Sequence, residues 1–223
     1  PNGNILVLCW ERKLLIDAIL AGRDPSTLVD NELWPTYIIE AEPQGSNGIN
    51  IVWEWYFWDH LVQDFDPSKL NYGTVENHPE LLDINFYGNN GKKDWLHCNS
   101  IDYNADLDQI VISSRKLSEL YIIDHSTTTS QAASHNGGIY GQGGDILYRW
   151  GNPIAYNNGT SADQQLFGQH DIQWIPNDLE DGGKLIVFNN GMNRGYSSVD
   201  VILPPIDVNN NYQMNYELIE RDH

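Results

Sequence analysis

Short runs of alternating apolar and polar residues, separated by clusters of Gly, Asn, Asp and Pro, dominate this chain. A two-residue period marks half-buried strands, because successive side chains on a strand point to opposite faces. Residues 36–41 (TYIIEA), 119–124 (ELYIID) and 198–203 (SVDVIL) follow that period. A second class of strand is β-branched and more continuous: 5–9 (ILVLC), 109–113 (QIVIS) and 184–188 (KLIVF). Two of these are preceded by a polar turn and, before it, by a strand opening on histidine, HCNSIDY from His97 and HDIQWI from His170. Trp-ended strands at 49–55 (INIVWEW) and 145–150 (DILYRW) close two copies of the pattern, and a third copy is expected to close near 212–219.

One strand order repeated along the chain predicts an all-β fold with radial repetition, a β-propeller. A β-sandwich could use the same strands, but it does not require the same four-strand grammar to recur. About three blades are expected, at residues 1–58, 94–151 and 168–220. The first lacks its inner strand, since 5–9 matches the second strand of the other copies. Propellers close with about four to eight blades, so the remaining blades are expected from sequence outside this chain, with a homo-oligomer left open. Inserted loops are expected at 59–93, with short helical turns, and at 125–144, and a short helix is expected at 17–23.

Composition narrows the partners. Eight Trp, 12 Tyr and 19 Gly against two Met suit a turn-rich β protein. A net charge of −19 over 223 residues repels phosphate backbones and anionic lipid, so neither nucleic acid nor a membrane is an expected partner. No apolar run is long enough to span a bilayer. The chain opens at Pro1 in mid-pattern, which reads as a processed or truncated product. Cys9 and Cys98 fall in predicted strands and read as small packed side chains rather than a bridge. Asn158-Gly159-Thr160 is a glycosylation sequon. Asp64, Asp66, Asp102, Asp106 and Asp108 offer oxygen ligands, but no metal-binding motif contains them, and no metal or cofactor is expected.

Against this acidic background the two inner-strand histidines stand out. Equivalent positions in a repeat place His97 and His170 at the same depth of a central channel. Asn99 follows His97 by two and is expected on the same side of the strand. Arg115 ends the neighbouring strand and offers a planar set of donors to a tetrahedral oxyanion. Each has a plainer reading, the histidines as structural side chains and Arg115 as a surface ion pair. Together they would form the donor-rich pocket that sulfuryl or phosphoryl transfer needs. His60 is expected in a structural or loop role, His78, His125 and His135 at the surface, and Arg194 is a weaker candidate for the channel mouth.

The stretch DWLHCNSIDYNADLDQIVISSRKLSELYIIDH, followed by DILYRWGNP, QHDIQWIP and KLIVFNNGMNR, resembles the arylsulfate sulfotransferase family. PNGNILVLCWE and EWYFWDHLVQDFDP are similar to its secreted, larger-loop branch. The resemblance implies a six-bladed propeller, secreted or periplasmic, that moves a sulfuryl group from an aryl sulfate to a phenol without a nucleotide sulfate donor or other cofactor. It implies His170 as the nucleophile that becomes sulfohistidine, with His97, Asn99 and Arg115 binding the sulfuryl oxygens, and a further inner-strand histidine upstream of Pro1. Two other readings stay open: a non-catalytic propeller used for binding or assembly, and a sulfate-ester hydrolase with water as acceptor.

Overall fold

The computed structural model describes residues 2–87, 91–207, 211–214 and 221–222. Strands hold 36% of the residues and helices 11%, which makes the fold mostly β. Three antiparallel sheets follow one another along the chain. The first has three strands, Ile5–Trp10, Thr36–Gln44 and Gly48–Tyr56, in that order. The second runs Cys98–Asn104, Gln109–Ser114, Glu119–Asp124, Ile146–Trp150. The third runs His170–Trp174, Leu185–Asn189, Ser198–Ile202, Arg221–Asp222.

Each sheet is a meander in which strands pair in chain order, and the first two reversals of the second sheet are tight. In the second sheet Asp108 and Ser118 take left-handed φ values of 51° and 57° to turn the chain between neighbouring strands. The predicted strands fall on observed ones, with ends shifted by at most about three residues. The expected closing strand at 212–219 lies mostly outside the described residues. The short helix forms at Leu15–Leu20 rather than 17–23, because the Asp17 carboxylate accepts the Leu14 N–H (2.9 Å) and caps the first turn early.

The first strands of the second and third sheets, Cys98–Asn104 and His170–Trp174, lie side by side, and Ile5–Trp10 of the first sheet flanks Cys98–Asn104 on the other side. One apolar cluster joins the first sheet to the second through Ile38, Trp53, Trp55, Ile110, Ile112 and Tyr121. Another joins the second to the third through Val111, Ile122, Trp150, Trp174, Val187 and Ile202. The last three strands of the second sheet are buried along their whole length, whereas its first strand is mostly half-buried.

The segment between the first two sheets has short 3₁₀ turns at Phe57–Asp59 and Val75–Asn77 and a parallel pair, Leu61–Val62 with Leu82–Asp83. Buried polar groups dock it. The Arg149 guanidinium pairs with the Glu119 carboxylate, at 2.9 Å through Nε, and donates to the carbonyls of Leu81 (2.9 Å) and Pro79 (3.3 Å). Burial alone would lower the Arg149 pKa, but the charge and hydrogen bonding of Glu119 together with Tyr121 and Tyr156 outweigh it and hold the guanidinium charged. Removing one partner leaves the other charge buried, so Glu119→Gln and Arg149→Met are each expected to cost about 3–5 kcal/mol in denaturant unfolding.

Asp83 sits in the same segment, its carboxyl pushed up to about 6 mainly by burial and against the backbone N–H of Asn85 that it accepts. An unfolded Asp titrates near 3.9, so this group favours folding below about pH 4 and that contribution is lost as pH rises through 6. Asp83→Asn keeps the acceptor and removes the titration. Its stability relative to the parent is expected to rise by up to ~3 kcal/mol between pH 4 and pH 7, measured as unfolding free energy.

Candidate active site

The first strands of the second and third sheets meet through side chains rather than through a hydrogen-bond ladder. The Asn99 amide donates to the Gln169 carbonyl (2.8 Å), Ser100 Oγ accepts the Ile172 N–H (2.9 Å), and the Asp102 carboxylate accepts the Trp174 N–H (2.8 Å). In return the buried Gln169 amide reaches into the second sheet, within 3.0 Å of Ser113 Oγ, the Ser114 carbonyl and the Glu119 carbonyl. Three acceptors around one NH₂ fix its orientation. Gln169→Glu, equal in shape, turns an oxygen on those acceptors. It is expected to lower unfolding free energy by at least about 2 kcal/mol.

His97 is not part of the strand it precedes. Its φ of 47° is left-handed and the strand begins at Cys98. A bulge between the Cys98 and Ser100 pairs then breaks the alternation, so the two-residue spacing does not set Asn99 beside His97. Asn99 is turned toward the third sheet instead. The ring of His97 donates through Nδ1 to the Asp94 carboxylate (2.6 Å) and lies 6.4 Å from the Trp10 ring. Arg115 remains close, its backbone N–H bonded to the His97 carbonyl (3.2 Å). Its guanidinium contacts Met192 Sδ (3.6 Å) and pairs with no carboxylate among the described residues, so the surface ion-pair reading does not hold.

His170 opens the first strand of the third sheet and pairs with Phe188. Nδ1 of its ring is 2.7 Å from Asn190 Oδ1, an acceptor that fixes the proton on Nδ1 and leaves the lone pair on Nε2. A bulge follows here too, between the His170 and Gln173 pairs, with Asp171 left-handed at φ 59°. Both candidate histidines therefore stand at a distorted start of a first strand, each oriented through Nδ1.

Beside them lies a cavity of about 540 Å³. Lys92, Arg115 and Lys116 line it with Phe86, Phe167 and Met192, and no Asp or Glu does among the described residues. In a chain of net charge −19 this is a local reversal of sign. Gly168, two residues before His170, forms part of the wall, whereas His97, Asn99 and His170 do not line it. The pocket that sequence reasoning placed around four residues is thus divided: Arg115 in the cavity, the two histidines at the adjoining strand starts, and Asn99 between the sheets. Lys92, Lys116, Asp94 and Asn190 escaped it, being loop residues without periodic spacing.

The family model Arylsulfotransferase (ASST) matches residues 1–217. The chain belongs to this family. No curated protein matches it. Membership implies aryl sulfotransfer in general, with aryl sulfates and phenols as substrates, and the acid-free cavity with aromatic walls suits an anionic aromatic ligand. No helix among the described residues is long and apolar enough to cross a membrane.

The other candidates take structural positions. Arg194 donates to Ser198 Oγ (2.9 Å) and stacks on Phe167 and Tyr196 without lining the cavity. His125, expected at the surface, is instead largely enclosed between the first two sheets. It bridges the carboxylates of Asp108 (2.8 Å) and Glu40 (3.1 Å). Burial would raise the Glu40 carboxyl, but the Asn4 and Asn2 amides and the His125 ring outweigh it and hold it below its usual range. Cys9 and Cys98 are both free thiols, as expected, and burial pushes Cys98 up to about 12, so it is no nucleophile.

Proposed function

We propose that this arylsulfotransferase transfers a sulfuryl group from an aryl sulfate to a phenol through a sulfohistidine on His170, with no nucleotide sulfate donor. The observation that carries the reading is the acid-free cationic cavity around Arg115, set beside the strand that His170 opens. The aryl sulfate enters with its ring against Phe86 and Phe167 and its oxygens toward Arg115, Lys92 and Lys116. The His170 Nε2 lone pair attacks sulfur, the S–O bond to the aryl group breaks, and the electron pair leaves on the phenolate. The Nδ1–H stays on Asn190 and shares the positive charge that the ring acquires. An acceptor phenolate then attacks sulfur, the N–S bond breaks, and neutral imidazole returns.

The partners of the two histidines separate their roles. The carboxylate of Asp94 compensates a positive ring, as His97 needs when it holds a sulfuryl oxygen. Asn190 offers His170 a neutral oxygen, which suits a nucleophile. Asn99, bonded to the Gln169 carbonyl, acts by positioning the His170 strand. We further take the three sheets as blades of a propeller, supported by their repeated strand order and by the first strands lying side by side.

Incubation with a chromogenic aryl sulfate is expected to release about one equivalent of phenol in a burst and to leave sulfate on histidine, read by mass spectrometry of peptides. His170→Ala should show neither. A label on another residue in that variant would overturn the assignment, and free sulfate released equally with and without phenol would favour hydrolysis. Arg115→Met is expected to lower kcat/KM by about 10²–10³-fold, the usual cost of one oxyanion donor.

A further inference from the structure

A cluster outside the cationic cavity converges on a single point. His60 Nδ1 lies 2.7 Å and His135 Nδ1 2.8 Å from the same oxygen, Asp145 Oδ1, and all three groups have ligand atoms within 4.8 Å of one another. We propose that these residues bind a divalent transition metal of the zinc class.

The far side of the His60 ring sets its tautomer. His60 is fully buried, stacked on Trp55 at 5.5 Å, and its Nε2 is 2.8 Å from the Ala132 carbonyl. A carbonyl only accepts, so Nε2 carries the proton. Nδ1 of the neutral ring then presents a lone pair to a carboxylate oxygen, an opposition that a second proton or a cation must relieve. A ring N–H donated to a backbone carbonyl, with the other nitrogen free, is how metal-bound histidine is usually oriented. Gly144 preserves the arrangement, since a Cβ there would come within 2.6 Å of Nε2 and 2.0 Å of the Ala132 carbonyl oxygen.

Two imidazoles and one carboxylate form a borderline donor set that suits Zn²⁺, with bonds of about 2.0–2.2 Å and one position left open. Tetrahedral ligation separates ligand atoms by about 3.3 Å, so the contacts must widen by roughly half an ångström. His135, 61% exposed, can move to widen its own contact, and a small rotation of the Asp145 carboxylate must widen the contact to buried His60. Its ring lines a second cavity of about 580 Å³, together with Asp59 and His78, which gives the ion a way in and room for a water ligand. The bound ion would join the segment after the first sheet to the loop before the last strand of the second.

The full chain, stripped with chelator and then incubated with Zn²⁺ and desalted, is expected to retain about one zinc by elemental analysis. Co²⁺ in its place should give the visible absorption of a four-coordinate site. His135→Ala, at an exposed position, should lose at least about tenfold in Zn²⁺ affinity and lose the zinc-dependent rise in Tm, while His78→Ala keeps both. Failure of the parent chain to retain zinc would overturn the proposal, and so would His135→Ala binding as the parent does. Neither readout depends on sulfuryl transfer.

Discussion

Neighbouring sheets in this protein present the edges of their first strands to one another, and those edges must be satisfied without a continuous ladder. Side chains carry that duty. Asn99, Ser100 and Asp102 bond the backbone from Gln169 to Trp174, and Gln169 answers with an amide set among three acceptors of the second sheet. Because the contacts are side chain to backbone, they fix register as well as separation: a slip of one residue would set donors against donors. His170 follows Gln169 directly, so the position of a candidate reactive ring is inherited from this seam.

The same seam explains how an acidic chain can hold a cationic cavity. Carboxylates near the first strands are committed elsewhere, Asp102 to the Trp174 N–H, Asp94 to His97, and Asp108 and Glu40 to His125. Arg115 and Lys116 lie just past the second strand's end, where no acidic residue among those described lines the wall. Excess negative charge over the rest of the surface then sharpens selectivity. An anion gains there only where several donors converge.

Periodicity made the strands legible, and the fold class with them, because tight polar turns and two-residue alternation are local properties. The ends of the first strands were not legible. The left-handed φ of His97 and the bulge after Cys98 belong to packing between sheets, and they turned Asn99 away from the direction that alternation implies. His97, Arg115 and His170 stood out as candidates from their place in the repeat. Their partners Asp94 and Asn190 were not, since a turn residue carries no period. His125 read as a surface residue because its neighbours in sequence are polar, whereas its enclosure comes from Glu40 and Trp53, far away in the chain.

The inserted segments show the complementary constraint. Residues 59–93 and 125–144 contain little regular structure; turn hydrogen bonds shape each from within, and buried polar anchors tie each to the sheets. Arg149 and Arg23 cap carbonyls of the first segment, Arg149 at Leu81 and Arg23 at Ile84, while His60 donates to the Ala132 carbonyl of the second. A purely apolar contact would bury the same surface but would accept many orientations of a loop. A guanidinium fork, or an imidazole stacked on Trp55 and donating to a fixed carbonyl, accepts very few. Buried charge is a poor source of net stability, so these anchors are better understood as selecting one loop conformation. That selection fixes the walls of both large cavities: Phe86 and Lys92 come from the first segment, and His135 comes from the second.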